Sequence, residues 1–417
     1  MSIRWITDFI GTAPAEEVSK RSDLKVVDVR DLVDKAGNRP DAVKEKIMIG
    51  VKHLRRGSRV VVCCDYGISR SNSIAAGIIA VHDQISFYDA VQLVQEKTGE
   101  TEIKLAPLES VRRATEENTV NRRPEEKRTV LITGASGFIG TAVCKRLRPQ
   151  FEVIAPTREQ IDIELGSTKL NLLVARHHVE SIIHLANPRV YTSNIALGKT
   201  LTMLRNVLEV CVAQDISLIY PSGWEIYSGY AGSLIADEAL PALPRGPYGE
   251  TKYLAELMIQ QFQRTSAVRC ALVRSSPVYG PSSDKPKFVY NFINKARNSE
   301  LIVTHRYLNG DAALDLLHID DFVDVIVRVF AKEYIGNINV GTGTTTSTHV
   351  IAQMLKTELG SSSSIEQVQI DSYNASIAMN YDKANILLGW SPKIKLEEGL
   401  KQLLTNDYCK GQLQHEC

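Results

Sequence analysis

Residues 129–140, TVLITGASGFIG, run an apolar, β-branched segment straight into glycines at 134, 137 and 140. Such a stretch demands a strand, a tight turn and a helix start in immediate succession. The glycines permit the turn, the close approach of a pyrophosphate and close packing of the helix, whose N-terminal N–H groups face the anion. Downstream, the short β-branched runs FEVIAP, SIIHLA, SLIYPS and CALVRSS alternate with segments of helical length. That alternation predicts parallel βαβ units and a doubly wound α/β sheet.

A second anion-binding pattern lies upstream. RVVVCC (59–64) reads as a strand and SNSIAAGIIAVHD (71–83) as a helix, so Asp65, Tyr66, Gly67, Ile68 and Ser69 form the turn between them. Backbone N–H groups in such a turn, backed by a helix N-terminus, can hold a phosphate, and Arg70 adds a planar two-pronged donor. Cys64 would face that positive field, which lowers a thiol from its usual pKa of about 8.5 and equips it to attack phosphorus through a cysteinyl-phosphate. With the strand KVVDVRD and a helical stretch at 41–55, this segment reads as a smaller α/β domain.

A chain of 417 residues exceeds what one hydrophobic core usually organises. From Ser110 the text turns to SVRRATEENTVNRRPEEKRT, rich in charge of both signs, giving expected bounds of 1–111 for the first domain, 112–128 for a linker and 129–417 for the second. With 49 basic against 48 acidic residues, the formal charge of +1 gives no general reason to bind nucleic acid or a membrane surface, so phosphate recognition must be local. The N-terminus lacks a signal peptide's apolar core, and no apolar run approaches the roughly 20 residues of a membrane span. Seven cysteines without paired metal-ligand spacing read as reduced thiols, with no metal site, in a cytoplasmic protein.

Cys64-x5-Arg70, with Gly67 and Ser69-Arg70-Ser71, resembles the signature of the dual-specificity branch of the cysteine phosphatases, and WITDFIGTAPAEEV resembles that family's opening strand and turn. Cys63 stands where the family has histidine. The resemblance implies a phosphate monoester substrate and a general acid on a loop before the cysteine, for which Asp31 is the first choice and Asp28 and Asp34 are rivals.

PYGETKYLAE places Tyr248 and Lys252 four residues apart, on one face of a helix. An ammonium beside a phenol favours the phenolate, so the pair can move a proton while a nicotinamide moves a hydride. Together with the glycine turn, IIHLAN (182–187), RSSPVYGP (274–281), LHIDDFVDVI (317–326), NVGTGTTTS (339–347) and LLGWSPKIKLEEGL (387–400), these residues resemble the extended short-chain dehydrogenase/reductase family of nucleotide-sugar epimerases and dehydratases. The resemblance implies a Rossmann sheet with a smaller C-terminal substrate-binding part. It places a nicotinamide cofactor against Gly134, Ser136, Gly137, Phe138, Ile139, Gly140, Leu185, Ala186, Tyr248 and Lys252, with Asp162 and Ile163 around the adenine. The family's triad hydroxyl falls at Gly223, so the neighbouring Ser222 is expected to supply it unless the triad runs without one. Glu225 lies where the dehydratases and decarboxylases carry a glutamate. No acid follows FEVIAP; Thr157 and Arg158 stand there instead, and Arg158 favours NADP over NAD.

The expected protein is bifunctional: the second domain modifies a nucleoside-diphosphate sugar by transient C4 oxidation, and the first hydrolyses or binds a phosphate monoester. Epimerase, dehydratase, decarboxylase and reductase all share that oxidation or its reverse. The alternative is an NAD(P)-binding regulatory protein that recognises a phosphorylated partner without turnover. The family resemblance also implies a homodimer.

Overall fold

The computed structural model describes residues 3–19, 21–115, 127–188, 193–281 and 287–412. The chain divides into two compact units, one of Met1–Lys127, Arg158–Val179 and Glu209–Asp215, the other of Arg128–Thr157, Glu180–Leu208 and Ile216–Cys417.

The first unit is built on β1 (Arg4–Trp5), β2 (Ile10–Pro14), β3 (Lys25–Asp28) and β4 (Val60–Cys64), in the order β1-β2-β4-β3. β2 and β3 run parallel to β4, and β1 runs antiparallel to β2. β4, VVVCC, is buried at every position, as an uninterrupted apolar run requires of an interior parallel strand. After the short α1 (Ala15–Val18), α2 (Pro40–Arg55) starts on a proline at its first turn and buries Val43, Ile47, Val51 and Leu54, a stripe of helical period. α3 (Arg70–Asp83) is buried from Ser71 through Ala80. α4 (Phe87–Thr98) is capped by Ser86, which accepts from Asp89 N, and α5 (Leu105–Thr115) buries Leu105, Leu108 and Val111. Of the linker expected at 112–128, residues 112–115 close α5, and 116–126 lie outside the described residues.

The second unit opens with β5 (Thr129–Thr133), α6 (Phe138–Leu147) and β6 (Glu152–Ile154); α7 (Thr168–Arg176) is counted with the first unit. Then follow β7 (Ser181–His184), α8 (Asn194–Gln214), β8 (Ser217–Gly223), β9 (Gly232–Ala236), α9 (Gly246–Ser266) and β10 (Cys270–Ser275). The main sheet is parallel throughout, in the order Gly336–Val340, β10, β8, β7, β5, β6. From β5 the chain passes to β6 on one side and then returns to β7 on the other. The crevice at the carboxyl ends of β5 and β7 is therefore the topological switch point, where doubly wound sheets bind ligands.

A separate core around Phe292, Ile293, Ile351, Leu355 and Leu403 supports the C-terminal part. The sequence segments LHIDDFVDVI and LLGWSPKIKLEEGL meet through hydrogen bonds. Trp390 Nε1 donates to Asp321 O at 3.0 Å, and Asp321 Oδ2 accepts from the backbone N–H of Lys393 and Ile394, each at 3.0 Å. No described helix is long and apolar enough to cross a membrane.

Candidate active site

The turn after β5 needs its glycines for space and for backbone shape. Gly134 has φ +69°, and a Cβ there would stand 2.6 Å from Ala186 N and 2.7 Å from Leu185 C. This contact joins the turn to Leu185 and Ala186, expected from the sequence to share its ligand, at the mouth of the switch-point crevice. A Cβ on Gly140 would run into Gly134 O, so α6 starts hard against the turn. Gly137 N donates to Gly134 O at 3.1 Å, and Thr141 N to Gly137 O at 2.9 Å. The N–H groups of the first turn of α6 that precede Thr141 have no carbonyl one turn back and are available to an anion.

Within the first unit, Arg158 and Asp162, expected from the sequence to serve the cofactor, engage each other. Arg158 Nε donates to Asp162 Oδ2 at 3.1 Å, and Arg158 Nη2 donates to Glu164 Oε2 at 3.3 Å. Ile163 is buried beside them. The guanidinium expected to meet a 2′-phosphate is thus already held by two carboxylates.

α9 carries Tyr248 and Lys252, and it can start abruptly because Gly246 has φ +78° and Pro247 occupies the first turn. Lys252 Nζ donates to Pro221 O of β8 at 2.9 Å and lies 5.7 Å from the centroid of the Tyr248 ring and 5.0 Å from that of Tyr220. Burial lowers the Lys252 pKa, while the charges of Glu225 and Glu256 oppose that shift. Ser222, near the end of β8, is buried and its Oγ has no partner among the described residues. Glu225 sits in the single turn of 3-10 helix Trp224–Tyr227, and burial raises its carboxyl above the usual range, with Lys252 opposing. A Cβ on Gly223, the residue at the expected triad position, would run into Glu225 Oε2. The glutamate carboxyl thus fills the space that a serine or threonine side chain would take. Gly249, next to Tyr248, is packed so closely that a Cβ would lie 2.6 Å from Glu225 O, which ties the two elements together.

Three buried groups beside the site escaped the sequence reading. His184, within the quoted IIHLAN, ends β7, and its Nδ1 lies 2.7 Å from Thr133 Oγ1, which also accepts from Ala186 N at 3.2 Å. The other ring nitrogen, Nε2, is buried with no partner among the described residues. The Tyr220 ring lies 6.1 Å from the His184 ring, with its hydroxyl likewise unpartnered among the described residues. The third group, Arg274 of β10, pairs through Nη2 with Glu256 Oε2 of α9 at 2.7 Å and donates through Nη1 to Tyr227 OH at 2.8 Å. Only polar letters inside apolar runs, such as the His in SIIHLA, could have flagged these residues.

Burial, reinforced by the charge of Lys252, pushes the His184 pKa down to about 3. An unfolded chain titrates this ring near its ordinary value of 6.5, so below that pH the unfolded state binds the extra proton. The contribution of His184 to stability is complete above about pH 6.5 and is lost as the pH falls towards about 3. The parent's thermal midpoint should therefore fall more steeply than that of His184→Asn across this window. Parallel slopes would show that the ring is not held neutral.

In the first unit, the turn between β4 and α3 follows the sequence expectation locally. Gly67 has φ +68°, and a Cβ would lie 2.5 Å from Ala13 C. Gly67 N donates to Cys64 Sγ at 3.2 Å, and Ser71 Oγ lies 3.4 Å from the same sulfur. Burial raises the Cys64 thiol pKa, but the Ser71 hydroxyl and the backbone N–H groups of Ser71, Ile68 and Gly67 outweigh it and hold the thiol below its ordinary value. Cys63 behaves oppositely: burial, with Asp28 adding, pushes it up to about 11. Arg70 Nη1 donates to Leu32 O at 2.9 Å and Arg30 O at 3.3 Å, and its Nη2 forms an ion pair with Asp65. Asp31 therefore lies on a segment gripped by Arg70, but its carboxylate pairs with Lys46 Nζ at 2.9 Å. Asp28 pairs with Arg30 and Asp34 with Lys104. Tyr66 is exposed at the rim, while Ser69 immediately precedes α3.

A doubly wound parallel sheet with a glycine turn at its switch point and a Tyr-x3-Lys helix has the architecture of a dinucleotide-binding class. The chain belongs to the NAD dependent epimerase/dehydratase family, whose model matches residues 130–341. UDP-glucuronic acid decarboxylase 1 of Xenopus tropicalis is 25% identical over 319 residues, spanning 70% of this chain and 74% of the relative. Among solved structures, the UDP-glucose 4-epimerase of Thermus thermophilus in complex with NAD superposes with a TM-score of 0.59 at 19% identity, covering 67% of this chain and 98% of that one. RMD of Pseudomonas aeruginosa complexed with NADPH superposes with a TM-score of 0.60 at 20% identity, covering 68% and 99% respectively. At these identities the structures establish a common fold.

Proposed function

We propose that the second unit modifies a nucleoside-diphosphate sugar by transient oxidation at C4, with NAD or NADP as cofactor. The observation that carries this reading is the Lys252 ammonium, anchored to Pro221 O and set beside the Tyr248 ring. The turn is closed tightly at Gly134 and Gly140, where a Cβ would strike backbone, and the first N–H groups of α6 beside it suit a dinucleotide pyrophosphate. When bound, the nicotinamide supplies a hydride acceptor and donor. Tyr248 removes the proton of the C4 hydroxyl as C4 becomes a ketone, and the ammonium of Lys252 favours the phenolate that does so. Ser222 offers its hydroxyl, which no described residue uses, to orient the sugar. Glu225, with its raised pKa, is suited to exchange the proton at C5, which an adjacent C4 ketone makes acidic. That step would lead to loss of water from C6.

Mass spectrometry of a nucleotide-sugar panel incubated with the protein and either dinucleotide tests this reading. Loss of one water assigns a dehydratase and gives Glu225 its role. A new isomer of unchanged mass assigns an epimerase with Glu225 as bystander, loss of carbon dioxide a decarboxylase, and no change across the panel refutes the reading. Leu254 and Leu257, each 40% exposed on α9, offer an apolar face for the proposed homodimer; sedimentation as a monomer at micromolar concentration would exclude it.

We extend the proposal to the first unit as a phosphate-monoester site. Cys64 thiolate would attack phosphorus, forming the S–P bond as the ester P–O bond breaks; an acid, Asp31 by choice, protonates the departing oxygen, and water then releases phosphate. Asp65 competes for Arg70. Asp65→Asn is therefore expected to tighten orthophosphate binding about tenfold, since a phosphate would gain charge-assisted bonds from Arg70. Unchanged affinity would remove Arg70 from the site, and hydrolysis of p-nitrophenyl phosphate by Cys64→Ser at the parent rate would remove the nucleophile. A regulatory reading without turnover draws on Cys63, which pairs an elevated pKa with the position of the family's histidine, and on Gly223 in place of the triad hydroxyl.

A further inference from the structure

Beside the glycine turn the second unit holds a cleft of about 650 Å³, a size suited to a nucleoside phosphate. Ala135 and Ser136 of the turn contribute to its wall, as do Pro156 and Thr157 just after β6. Most of the remaining wall is α6 and its C-cap, where Thr141, Lys145 and the capping Arg148, still helical in backbone, succeed one another at spacings of four and three and therefore share a face. No carboxylate lines the cleft, and neither Lys145 nor Arg148 is engaged in an ion pair among the described residues. Both cations are exposed.

The cleft connects the turn that would hold a pyrophosphate with the end of the second strand of the sheet, which is where the adenosine ribose of a dinucleotide lies in this architecture. A carboxylate at that point favours the bare ribose diol, and a cation favours a 2′-phosphate. Arg158, the cation nearest in sequence, is held by Asp162 and Glu164 within the first unit, and Asp162 is itself occupied by Arg158 and by Glu164 N. The cations that line the cleft, without ion-pair partners among the described residues, are the two on the flank of α6.

We propose that Lys145 and Arg148 form the seat of an adenosine 2′-phosphate, so that this chain selects NADP(H) over NAD(H) through the flank of α6. The inference rests on the proposed dinucleotide site. Lys145 supplies a mobile point charge and Arg148 a planar fork, and together they can neutralise the second charge of the phosphate.

Fluorescence titration of NADPH and NADH into the full chain tests the proposal, using Lys145→Ala, Arg148→Ala and the double variant, with Arg146→Ala as a control of equal charge change outside the cleft lining. The parent should bind NADPH more tightly than NADH. The double variant should lose about ten- to a hundredfold of NADPH affinity while binding NADH as before, which also shows that it is folded. Arg146→Ala should match the parent, and the preference should shrink with added salt. Equal binding of both dinucleotides by the parent, or a double variant with the parent's preference, overturns this inference and leaves the dinucleotide site standing. Failure of both dinucleotides to bind overturns this inference and the dinucleotide site together.

Discussion

Tyr248→Phe should lower turnover of the nucleotide sugar by about 10²- to 10⁴-fold, the usual contribution of a positioned acid–base group. The loss should appear in kcat and kcat/KM alike, because the phenolic oxygen acts in the transition state and the ring that packs the site is retained. Lys252→Met should follow it, since Lys252 Nζ beside the ring is what makes the phenolate accessible. A Phe variant that turns over like the parent would end the acid–base assignment and bring the regulatory reading forward.

Glu256→Ala should destabilise the protein by about 3–5 kcal/mol, measured by urea unfolding, because it leaves the Arg274 guanidinium buried and uncompensated. Glu256 is 1% exposed and Arg274 6%, and three hydrogen bonds join them: Nη2 to Oε2 at 2.7 Å, Nε to Oε1 at 3.1 Å and Nε to Oε2 at 3.3 Å. The pair ties α9 to β10, and Arg274 also holds Tyr227, two residues beyond Glu225. Activity should therefore decline in Glu256→Ala even where the variant remains folded. Glu250→Ala, an exposed position on the same helix, should cost less than about 0.5 kcal/mol. Similar unfolding midpoints for the two variants would show that the buried pair is not a principal tie.

The parts of this architecture that the sequence displays are those whose physics is local. An apolar run before Gly134, Gly137 and Gly140 can only be a strand, a tight turn and a helix start, and the structure builds them as β5 and α6. Tyr248 and Lys252 lie on one helix face because four residues make about one turn. RVVVCC likewise reads directly as β4. What stayed hidden depends on which side chains meet after the chain has crossed the sheet. Nothing in CALVRSS announces that Arg274 reaches Glu256, and nothing near VVDVRD announces that Asp31 is taken by Lys46. Arg158 is instructive because its partners Asp162 and Glu164 are close in sequence, yet a loop without periodicity gives no rule for which charges pair. The glycine at 223 reads in sequence as a lost hydroxyl, and in the structure as room for the carboxyl of Glu225.

Oxidation at C4 of a sugar within the crevice that ends β5 and β7 is the central claim. It is tested most directly by supplying nucleotide sugars deuterated at C4 and determining, by mass spectrometry of the quenched protein, where the label goes. Deuterium is expected on the nicotinamide ring of a reduced fraction, strongly diminished in Tyr248→Phe. Label retained wholly on the sugar across the panel, with no labelled dinucleotide under any condition, would contradict it.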